Sequence, residues 1–331
     1  MKVAVFSTQS YDRTAFTEAN QSFTHQLIFL QQPLNSQTAS LAKGCQAVCV
    51  FVNDKLDKAC LEQLAAMGIH TIALRCAGYN NVCLVSAQAL AIKVVYVPDY
   101  APEGIAEHAV GLILALNRQL HRAYNRVRDN NFMLSGMLGF NLHGKTVGVV
   151  GTGKIGEAFC RIMQGFGCSV IAYDPEPNPN CQQMGVEYMD FQRLISCADI
   201  ISLHCPLTAK TRYLIDDKAL SIMKPGVMLI NTSRGAVLDT QAAIKHLKNG
   251  KIGYLGLDVY EHEAALFFSD RSAQILQDDM FSRLLTMPNV LITGHQAFFT
   301  AEAITTIANT TLANITAIQQ GANCINEVTA P

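Results

Sequence analysis

The chain has 331 residues, half of them apolar and only 15% charged, so it is long enough for about two domains and too apolar to be disordered. The formal net charge of −1 argues against a general nucleic-acid-binding protein, because such proteins carry a strong basic excess. The N-terminal segment turns polar after Phe6, too early for a signal peptide. The longest apolar runs, such as residues 109–116, are far shorter than the ~20 residues of a membrane span.

The eleven cysteines are scattered along the chain, and no pair has C-x-x-C spacing. An odd number without a paired pattern argues against a disulfide framework and favours a reducing compartment. No cluster of His, Cys, Asp and Glu has zinc-site spacing, so no metal is expected. We therefore expect a cytoplasmic protein that binds neither membranes nor nucleic acid.

Strand-like and helical patterns alternate through the first hundred residues. Helical spacing covers residues 58–66, and short buried strands are predicted at residues 3–6, 47–52, 71–74 and 94–97. This alternation predicts βαβ units and a parallel sheet. Pro98 and Pro102 then indicate a boundary.

A single long helix is predicted after Pro102. Its apolar face consists of Ile105, Ala109, Leu112, Ile113, Leu116 and Leu120. The basic run His121, Arg122, Arg126 and Arg128 continues the helix, either as a solvated helix end or as a subunit contact.

A second alternating series follows the long helix. Its predicted strands cover residues 146–150, 170–173, 200–204, 227–231, 254–259 and 290–293. A last helix is predicted over residues 301–318. The chain thus contains two α/β halves.

A glycine fingerprint opens the second half, where Gly151, Gly153 and Gly156 stand between a predicted strand and a predicted helix. In a dinucleotide-binding turn these glycines permit the tight turn, the backbone approach to a pyrophosphate and close helix packing. Asp174 follows Gly156 by 18 residues, at the end of the next strand. A carboxylate there can bind the ribose hydroxyls and repel a 2′-phosphate, which favours NAD over NADP. Alternatively, Asp174 only begins the turn Asp-Pro-Glu-Pro.

Three later strands end in polar residues, which at the carboxyl edge of a parallel sheet face a ligand crevice. Arg234 suits a substrate carboxylate, or else forms a structural salt bridge. One acid of the segment 258–263 can support a catalytic base, although spacing does not say which, and this segment can also be a surface loop. His295 is the leading acid–base candidate, and His204 is its rival, although the adjoining Cys205 and Pro206 fit better beside a cofactor.

Taken together, these residues resemble the D-isomer-specific 2-hydroxyacid dehydrogenases over nearly the whole chain. The segments that carry the resemblance are residues 75–81, 106–110, 151–156, 231–235, 258–263 and 294–300. Cys83 departs from the pattern, because relatives usually have aspartate there, which puts local helix capping in doubt. The resemblance implies two doubly wound parallel-sheet domains of the Rossmann-like or flavodoxin-like type, with an interdomain cleft. A substrate domain of residues 1–100 and 299–331 would flank an NAD-binding domain of residues 101–298.

The resemblance also implies a role for each matching residue. Arg234 would bind the substrate carboxylate, Glu263 would pair with the histidine, and His295 would donate the proton. The substrate would further contact Cys76, Ala77, Gly78, Tyr100 and Phe298. The cofactor NAD would contact Gly151, Gly153, Lys154, Ile155, Gly156, Asp174, His204, Cys205, Pro206, Thr211, Thr232, Ser233 and Asp258.

The activity implied by the resemblance is NADH-dependent reduction of pyruvate to D-lactate by a dimer or tetramer. Reduction of glyoxylate or hydroxypyruvate is the nearest alternative. An alternative of another class is an NAD-sensing, corepressor-like binding protein, since such relatives can retain the same three site residues.

Overall fold

The computed structural model describes residues 1–330, and the chain divides into two compact units. One unit comprises Met1–Ala101 and Phe299–Pro331, and the other comprises Pro102–Phe298. Each unit contains one doubly wound, mainly parallel sheet, which confirms the predicted fold class.

The first unit contains a six-stranded sheet. Its strands are β1 (Lys2–Val5), β2 (Gln26–Phe29), β3 (Ala47–Val50), β4 (Thr71–Leu74), β5 (Lys93–Val95) and β13 (Glu327–Val328). The spatial order is β13-β5-β4-β3-β1-β2, and only β13 pairs antiparallel, at the edge beside β5. The order reverses between β1 and β3, and open α/β sheets bind ligands beyond the carboxyl ends of strands at such a point.

Helices cover both faces of this sheet. They are α1 (Ser10–Ala19), α2 (Lys58–Ala66), α3 (Leu84–Ala89) and α12 (Ala301–Gln319). All four residues of β3 and all four of β4 are buried, which explains why these strands appear in the sequence as unbroken apolar runs. Leu312 and Ile315 of α12 join the core formed by the central strands, so the C-terminal segment completes this unit.

The second unit contains a seven-stranded sheet in which every pairing is parallel. Its strands are β6 (Thr146–Val150), β7 (Ser169–Tyr173), β8 (Glu187–Tyr188), β9 (Ile200–Leu203), β10 (Val227–Asn231), β11 (Ile252–Leu257) and β12 (Val290–Ile292). The order β12-β11-β10-β9-β6-β7-β8 contains the six-strand order of dinucleotide-binding domains, with β12 added at one edge.

Eight helices belong to the second unit. They are α4 (Pro102–Asn117), α5 (Leu120–Arg128), α6 (Lys154–Gly165), α7 (Pro179–Gln183), α8 (Phe191–Cys197), α9 (Asp217–Ile222), α10 (Thr240–Lys248) and α11 (Asp279–Leu285). Aspartate side chains accept a hydrogen bond from the first-turn backbone of α2, α8, α9, α10 and α11, which fixes where these helices begin. By contrast, Cys83 precedes α3 and makes no such capping bond.

The prediction of one long helix after Pro102 is wrong, because α4 and α5 are separate helices. Gln119 lies between them with φ of +49°, and Leu120 is 56% exposed instead of lying on the buried face. The side chain of Asn117 exchanges hydrogen bonds of 2.8 Å with the backbone N–H and C=O of Phe140. This contact occupies the end of α4 and is invisible in local periodicity.

Three strands escaped prediction, namely β2, β8 and β13. Each begins with a polar residue and lies at or next to an edge of its sheet, so none produces a buried apolar run. Within residues 1–330, no helix is long and apolar enough to cross a membrane. The same residues contain no group of three or more His, Cys, Asp or Glu side chains that could hold a metal ion.

Candidate active site

The glycine loop between β6 and α6 is shaped by close backbone contacts. Gly151 has φ of +95°, and a Cβ atom there would stand 2.7 Å from the backbone nitrogen of Cys205. A Cβ at Gly156 would collide with the carbonyl oxygen of Gly151. Both positions therefore require glycine for the loop to fold.

Gly153 is a different case, because no atom lies within 4 Å of the place where its Cβ would stand. It is the N-cap of α6, whose first backbone N–H groups are unpaired within the helix and carry the positive end of the helix dipole. The open space in front of these donors suits a pyrophosphate. The loop therefore fits NAD.

Asp174 follows β7, and its carboxylate is held from two sides. Oδ2 accepts the backbone N–H of Thr152 at 2.7 Å and its hydroxyl at 3.2 Å. Oδ1 accepts the backbone N–H of Glu176 at 3.0 Å, so Asp174 does begin a turn. The phenol of Tyr188 donates to the Thr152 hydroxyl at 2.8 Å, which braces the residue that holds the carboxylate.

His204 continues β9 through a hydrogen bond from its backbone N–H to the carbonyl of Val150. Its ring packs 4.9 Å from that of Phe159, and Nε2 lies 2.9 Å from the hydroxyl of Ser202. Burial lowers the pKa of His204 to about 3, so the ring is neutral near pH 7 and cannot serve as the proton donor.

The loop after His204 is fixed by its own side chains. The Thr211 hydroxyl donates to the carbonyl of Pro206 at 2.6 Å and accepts the backbone N–H of Thr208 at 2.7 Å. Burial raises the pKa of the Cys205 thiol to about 11, so this residue presents a neutral thiol.

Two small hydroxyl residues follow β10. Ser233 donates to the side-chain oxygen of Asn231 at 2.9 Å. The Thr232 hydroxyl is buried and has no hydrogen-bond partner within residues 1–330. A buried polar group of this kind normally finds a partner, and a bound ligand can supply one here.

Arg234 is half-buried at the end of the same segment. Its Nη1 donates to the carbonyl of Ser233 at 2.7 Å, and no carboxylate of the described chain forms an ion pair with it. The structure therefore does not support the alternative of a structural salt bridge. A Cβ at Gly235 would collide with the backbone of Tyr260, so the arginine loop lies directly against the segment that leads to Glu263.

Glu263 and His295 form a hydrogen-bonded pair with 2.8 Å between Oε1 and Nδ1. Their side chains are only 20% and 15% exposed. Since an ionised carboxylate only accepts, Nδ1 carries the proton and Nε2 is the nitrogen directed away from Glu263. The other acids of the segment are engaged elsewhere, because Glu261 accepts the phenol of Tyr213 and Asp258 is anchored as described next.

Asp258 is completely buried below His295. Its carboxylate accepts the Thr293 hydroxyl at 2.6 Å and the backbone N–H groups of Gln296 and Ala297 at 2.9 Å. Burial opposes ionisation, but these bonds, together with His108, outweigh it and hold the pKa of Asp258 below its ordinary value.

The backbone of His295 has φ of +53°, a left-handed conformation that is costly for a residue other than glycine. Its N–H donates to the carbonyl oxygen of Asp258 at 2.7 Å, which compensates for this conformation. Asp258 therefore fixes the loop of His295 through both its carboxylate and its backbone.

Two phenylalanines flank the imidazole of His295. The ring centroid of Phe298 lies 6.4 Å away and that of Phe268 lies 5.6 Å away. Phe268 was not predicted, because it belongs to an irregular loop with no periodic pattern. The two rings make the surroundings of the imidazole apolar.

The remaining predicted substrate contacts lie in the first unit. Cys76, Ala77 and Gly78 follow β4 after Arg75, and the Cys76 thiol donates to the carbonyl of Gly78 at 3.2 Å. Arg75, which precedes them, is 2% exposed and donates to the carbonyls of Phe6 and Ser7 at the end of β1. Tyr100 lies at the end of the N-terminal segment of this unit.

Comparison with known proteins decides the family. The model of the D-isomer specific 2-hydroxyacid dehydrogenase NAD-binding domain matches residues 110–297. A D-lactate dehydrogenase of Escherichia coli is 53% identical over 99% of this chain and 100% of its own length. The chain belongs to the D-isomer-specific 2-hydroxyacid dehydrogenases. The resemblance stated from the sequence and the expectation of NAD are thereby confirmed.

Solved structures of this dehydrogenase family match both units. The pyruvate reductase of Chlamydomonas reinhardtii is 44% identical, covers 98% of each chain and has a TM-score of 0.93. D-lactate dehydrogenase of Lactobacillus jensenii, solved with NAD⁺, is 32% identical over 100% of each chain with a TM-score of 0.83.

Sequence reasoning assigned no role to several residues that shape this site. His108 belongs to a segment that carried the family resemblance, and its Nε2 lies 3.0 Å from the Thr293 hydroxyl and 3.4 Å from Asp258. Tyr188 lies on a two-residue strand that no pattern indicates. Glu157 directly follows the last fingerprint glycine, and only this position in the sequence could have indicated that it lies near the cofactor loop.

Proposed function

We propose that this dehydrogenase reduces pyruvate to D-lactate with NADH. The observation that carries the proposal is the Glu263–His295 pair, which lies against the loop of an arginine without an internal counter-ion. A cationic fork and a proton donor are what a 2-keto acid requires, since its carboxylate must be held and its carbonyl oxygen protonated. The D-lactate dehydrogenase and pyruvate reductase relatives support the same substrate.

In the proposed reaction, Arg234 binds the substrate carboxylate with its planar guanidinium. The family resemblance further assigns contacts with the substrate to Cys76, Ala77 and Gly78. His295 donates a proton from Nε2 to the carbonyl oxygen, and Glu263 stabilises the imidazolium from the Nδ1 side. NADH, when bound, supplies the hydride.

The cofactor would be held by the glycine loop and the strand ends around it. Gly151, Gly153 and Gly156 with Lys154 and Ile155 would receive the pyrophosphate, and Asp174 the adenosine ribose. Toward the nicotinamide the contacts would come from His204, Cys205, Pro206, Thr211, Thr232, Ser233 and Asp258.

Aromatic side chains beside His295 support pyruvate over more polar keto acids. Phe268 and Phe298 flank the imidazole, and the family resemblance assigns Tyr100 to the same substrate. Such a lining favours a methyl group, although one substituent in a pocket discriminates by only ~1–3 kcal/mol.

We also propose that the enzyme is a homo-oligomer of the cytoplasm. Helix α5 has no buried residue, and the segment after it exposes Phe132, Met133, Leu134 and Leu138, the last two by 86% and 89%. A concentration of exposed apolar side chains of this kind is typical of a protein interface. It supports the subunit-contact interpretation of the basic run 121–128. The odd number of cysteines favours a reducing compartment.

A panel of 2-keto acids tests the function directly. Oxidation of NADH is followed at 340 nm with pyruvate, glyoxylate, hydroxypyruvate and a branched-chain keto acid. We expect the highest kcat/KM with pyruvate. Higher kcat/KM with hydroxypyruvate would contradict the substrate, and tight NADH binding without turnover of any keto acid would favour a sensor.

A further inference from the structure

A second carboxylate lies close to the one expected at the cofactor ribose. Glu157 is in the first turn of α6, and three side-chain donors converge on it. Its Oε2 accepts the amides of Asn178 at 3.0 Å and Asn180 at 3.1 Å, and its Oε1 accepts Arg161 at 3.2 Å. The Glu157 side chain is 19% exposed, so solvent reaches only part of it.

Glu157 is connected to Asp174 through only two residues. The Asn178 amide that binds Glu157 also donates to the backbone carbonyl of Thr152 at 2.8 Å. Thr152 in turn donates to Asp174 from its backbone N–H and its hydroxyl. Tyr188 braces this connection, because its phenol donates to Thr152 and accepts the backbone N–H of Asn178 at 3.0 Å.

The donors around Glu157 are those that a phosphate monoester would use. Amide N–H groups and a guanidinium are the usual protein ligands of phosphate, and Arg binds it with a planar fork. Glu157 accepts a hydrogen bond from each of the three, and its negative charge would repel a phosphate dianion. The amides of Asn178 and Asn180 hold the pKa of Glu157 below its ordinary value, so this charge is present at neutral pH.

We propose that Glu157 is a second determinant of cofactor choice, which excludes NADP by occupying the donors that would otherwise bind the 2′-phosphate. The proposal rests on the placement of the adenosine ribose at Asp174. In this arrangement Asp174 repels the 2′-phosphate directly, whereas Glu157 keeps Asn178, Asn180 and Arg161 from receiving it. Replacing Asp174 alone would therefore leave most of the exclusion in place.

Calorimetric titration with 2′,5′-ADP and 5′-AMP tests this proposal without turnover. The proteins compared are wild type, Glu157→Ala, Asp174→Asn and the double variant, with thermal melting to verify folding. We expect Glu157→Ala to strengthen 2′,5′-ADP binding by roughly tenfold, as removal of one nearby charge predicts. The double variant should bind 2′,5′-ADP more tightly than either single variant does. Adding Arg161→Gln to it should abolish most of the gain, because the freed guanidinium would be the principal phosphate ligand.

Glu187→Gln is the matched control, since it removes an exposed carboxylate next to Tyr188 and should leave the ratio of the two affinities unchanged. The ratio of kcat/KM for NADPH and NADH with pyruvate should follow the binding ratio across the variants. The proposal would be overturned if Glu157→Ala left the affinity for 2′,5′-ADP unchanged both in the wild-type protein and in Asp174→Asn. An unchanged affinity for 5′-AMP in Asp174→Asn would also overturn the proposal, because it would show that the adenosine ribose does not bind at Asp174. Failure to reduce pyruvate would contradict only the proposed substrate, because the titrations need no turnover.

Discussion

His295 combines a strained backbone with a fixed side chain. Its left-handed φ is compensated by the bond to the Asp258 carbonyl, and Glu263 determines which ring nitrogen carries the proton. A proton donor held in one orientation needs no rearrangement when the substrate arrives. This geometry supports a role for His295 in proton transfer alone, whereas other residues bind the cofactor and the substrate.

Replacing His295 should therefore affect turnover and spare cofactor binding. We expect His295→Gln to lower kcat by ~10²–10⁴-fold, the usual effect of losing an acid–base group, while the Kd of NADH changes by less than about threefold. Arg234→Lys is the comparison variant, and it should chiefly raise the KM of pyruvate because a point charge cannot reproduce the fork. Steady-state kinetics and NADH fluorescence titration give both values. A kcat of His295→Gln close to that of wild type would refute its assignment.

Asp258 should contribute stability that depends on pH. Because its pKa is lowered in the folded state, the contribution is present above the unfolded value near 3.8 and is lost as pH falls through the folded value. Asp258→Asn places amide hydrogens where backbone N–H groups now donate, at a cost of ~1–3 kcal/mol. Urea unfolding should show this deficit undiminished from pH 7 to about pH 4 and decreasing only as the pH falls further. A deficit that stays constant as the pH falls well below 3.8 would show that the carboxylate charge is not responsible.

At the scale of elements, the three fingerprint glycines perform different tasks in one strand–loop–helix unit. Gly156 is required by the protein itself, because a Cβ there would meet the Gly151 carbonyl. Gly153 leaves space that the protein does not use. Stability and cofactor affinity should therefore separate between these positions.

Alanine substitutions along α6 test this separation. Gly156→Ala should lower Tm by several degrees, whereas Gly153→Ala should leave Tm nearly unchanged and weaken NADH binding. Gly165→Ala is the matched control, since nothing lies within 4 Å of its Cβ position and alanine favours a helix by about 1 kcal/mol. Equal NADH affinity in Gly153→Ala and wild type would contradict the proposed pyrophosphate position.

Elements with buried, local signals could be predicted from the sequence. The strands at 71–74, 146–150 and 227–231 agree residue for residue with the structure, because strands buried on both faces appear as continuous apolar runs. The break at Gln119 could not be predicted, since it depends on the contact between Asn117 and Phe140. The choice of Glu263 among three nearby acids likewise depends on a partner 32 residues away.

At the scale of the whole molecule, the net charge is close to zero, although the keto acid and the dinucleotide are both anions. Binding of these ligands does not need an excess of positive charge over the whole surface. We expect the positive potential that they need to be local, supplied by Arg234 and by the N-terminus of α6. The large apolar side chains that remain exposed are concentrated differently, in α5 and the segment to Leu138. The surface proposed for subunit association thus contains none of the predicted catalytic residues.

The oligomeric state should respond to charge placed on that surface. We expect wild type to sediment as a dimer or tetramer, and Leu134→Glu with Leu138→Glu to shift it to a smaller species, because buried carboxylates without partners oppose association. Ile275→Glu is the control, since Ile275 is equally exposed, at 86%, but lies outside the segment from α5 to Leu138. This variant should sediment as wild type does. A wild-type monomer at micromolar concentration would contradict the proposal.

Chiral analysis of the product formed from pyruvate and NADH tests the proposed reaction. We expect stoichiometric oxidation of NADH and formation of D-lactate alone, with both lost in His295→Gln. Formation of L-lactate, or the absence of lactate from a protein that binds NADH, would contradict it.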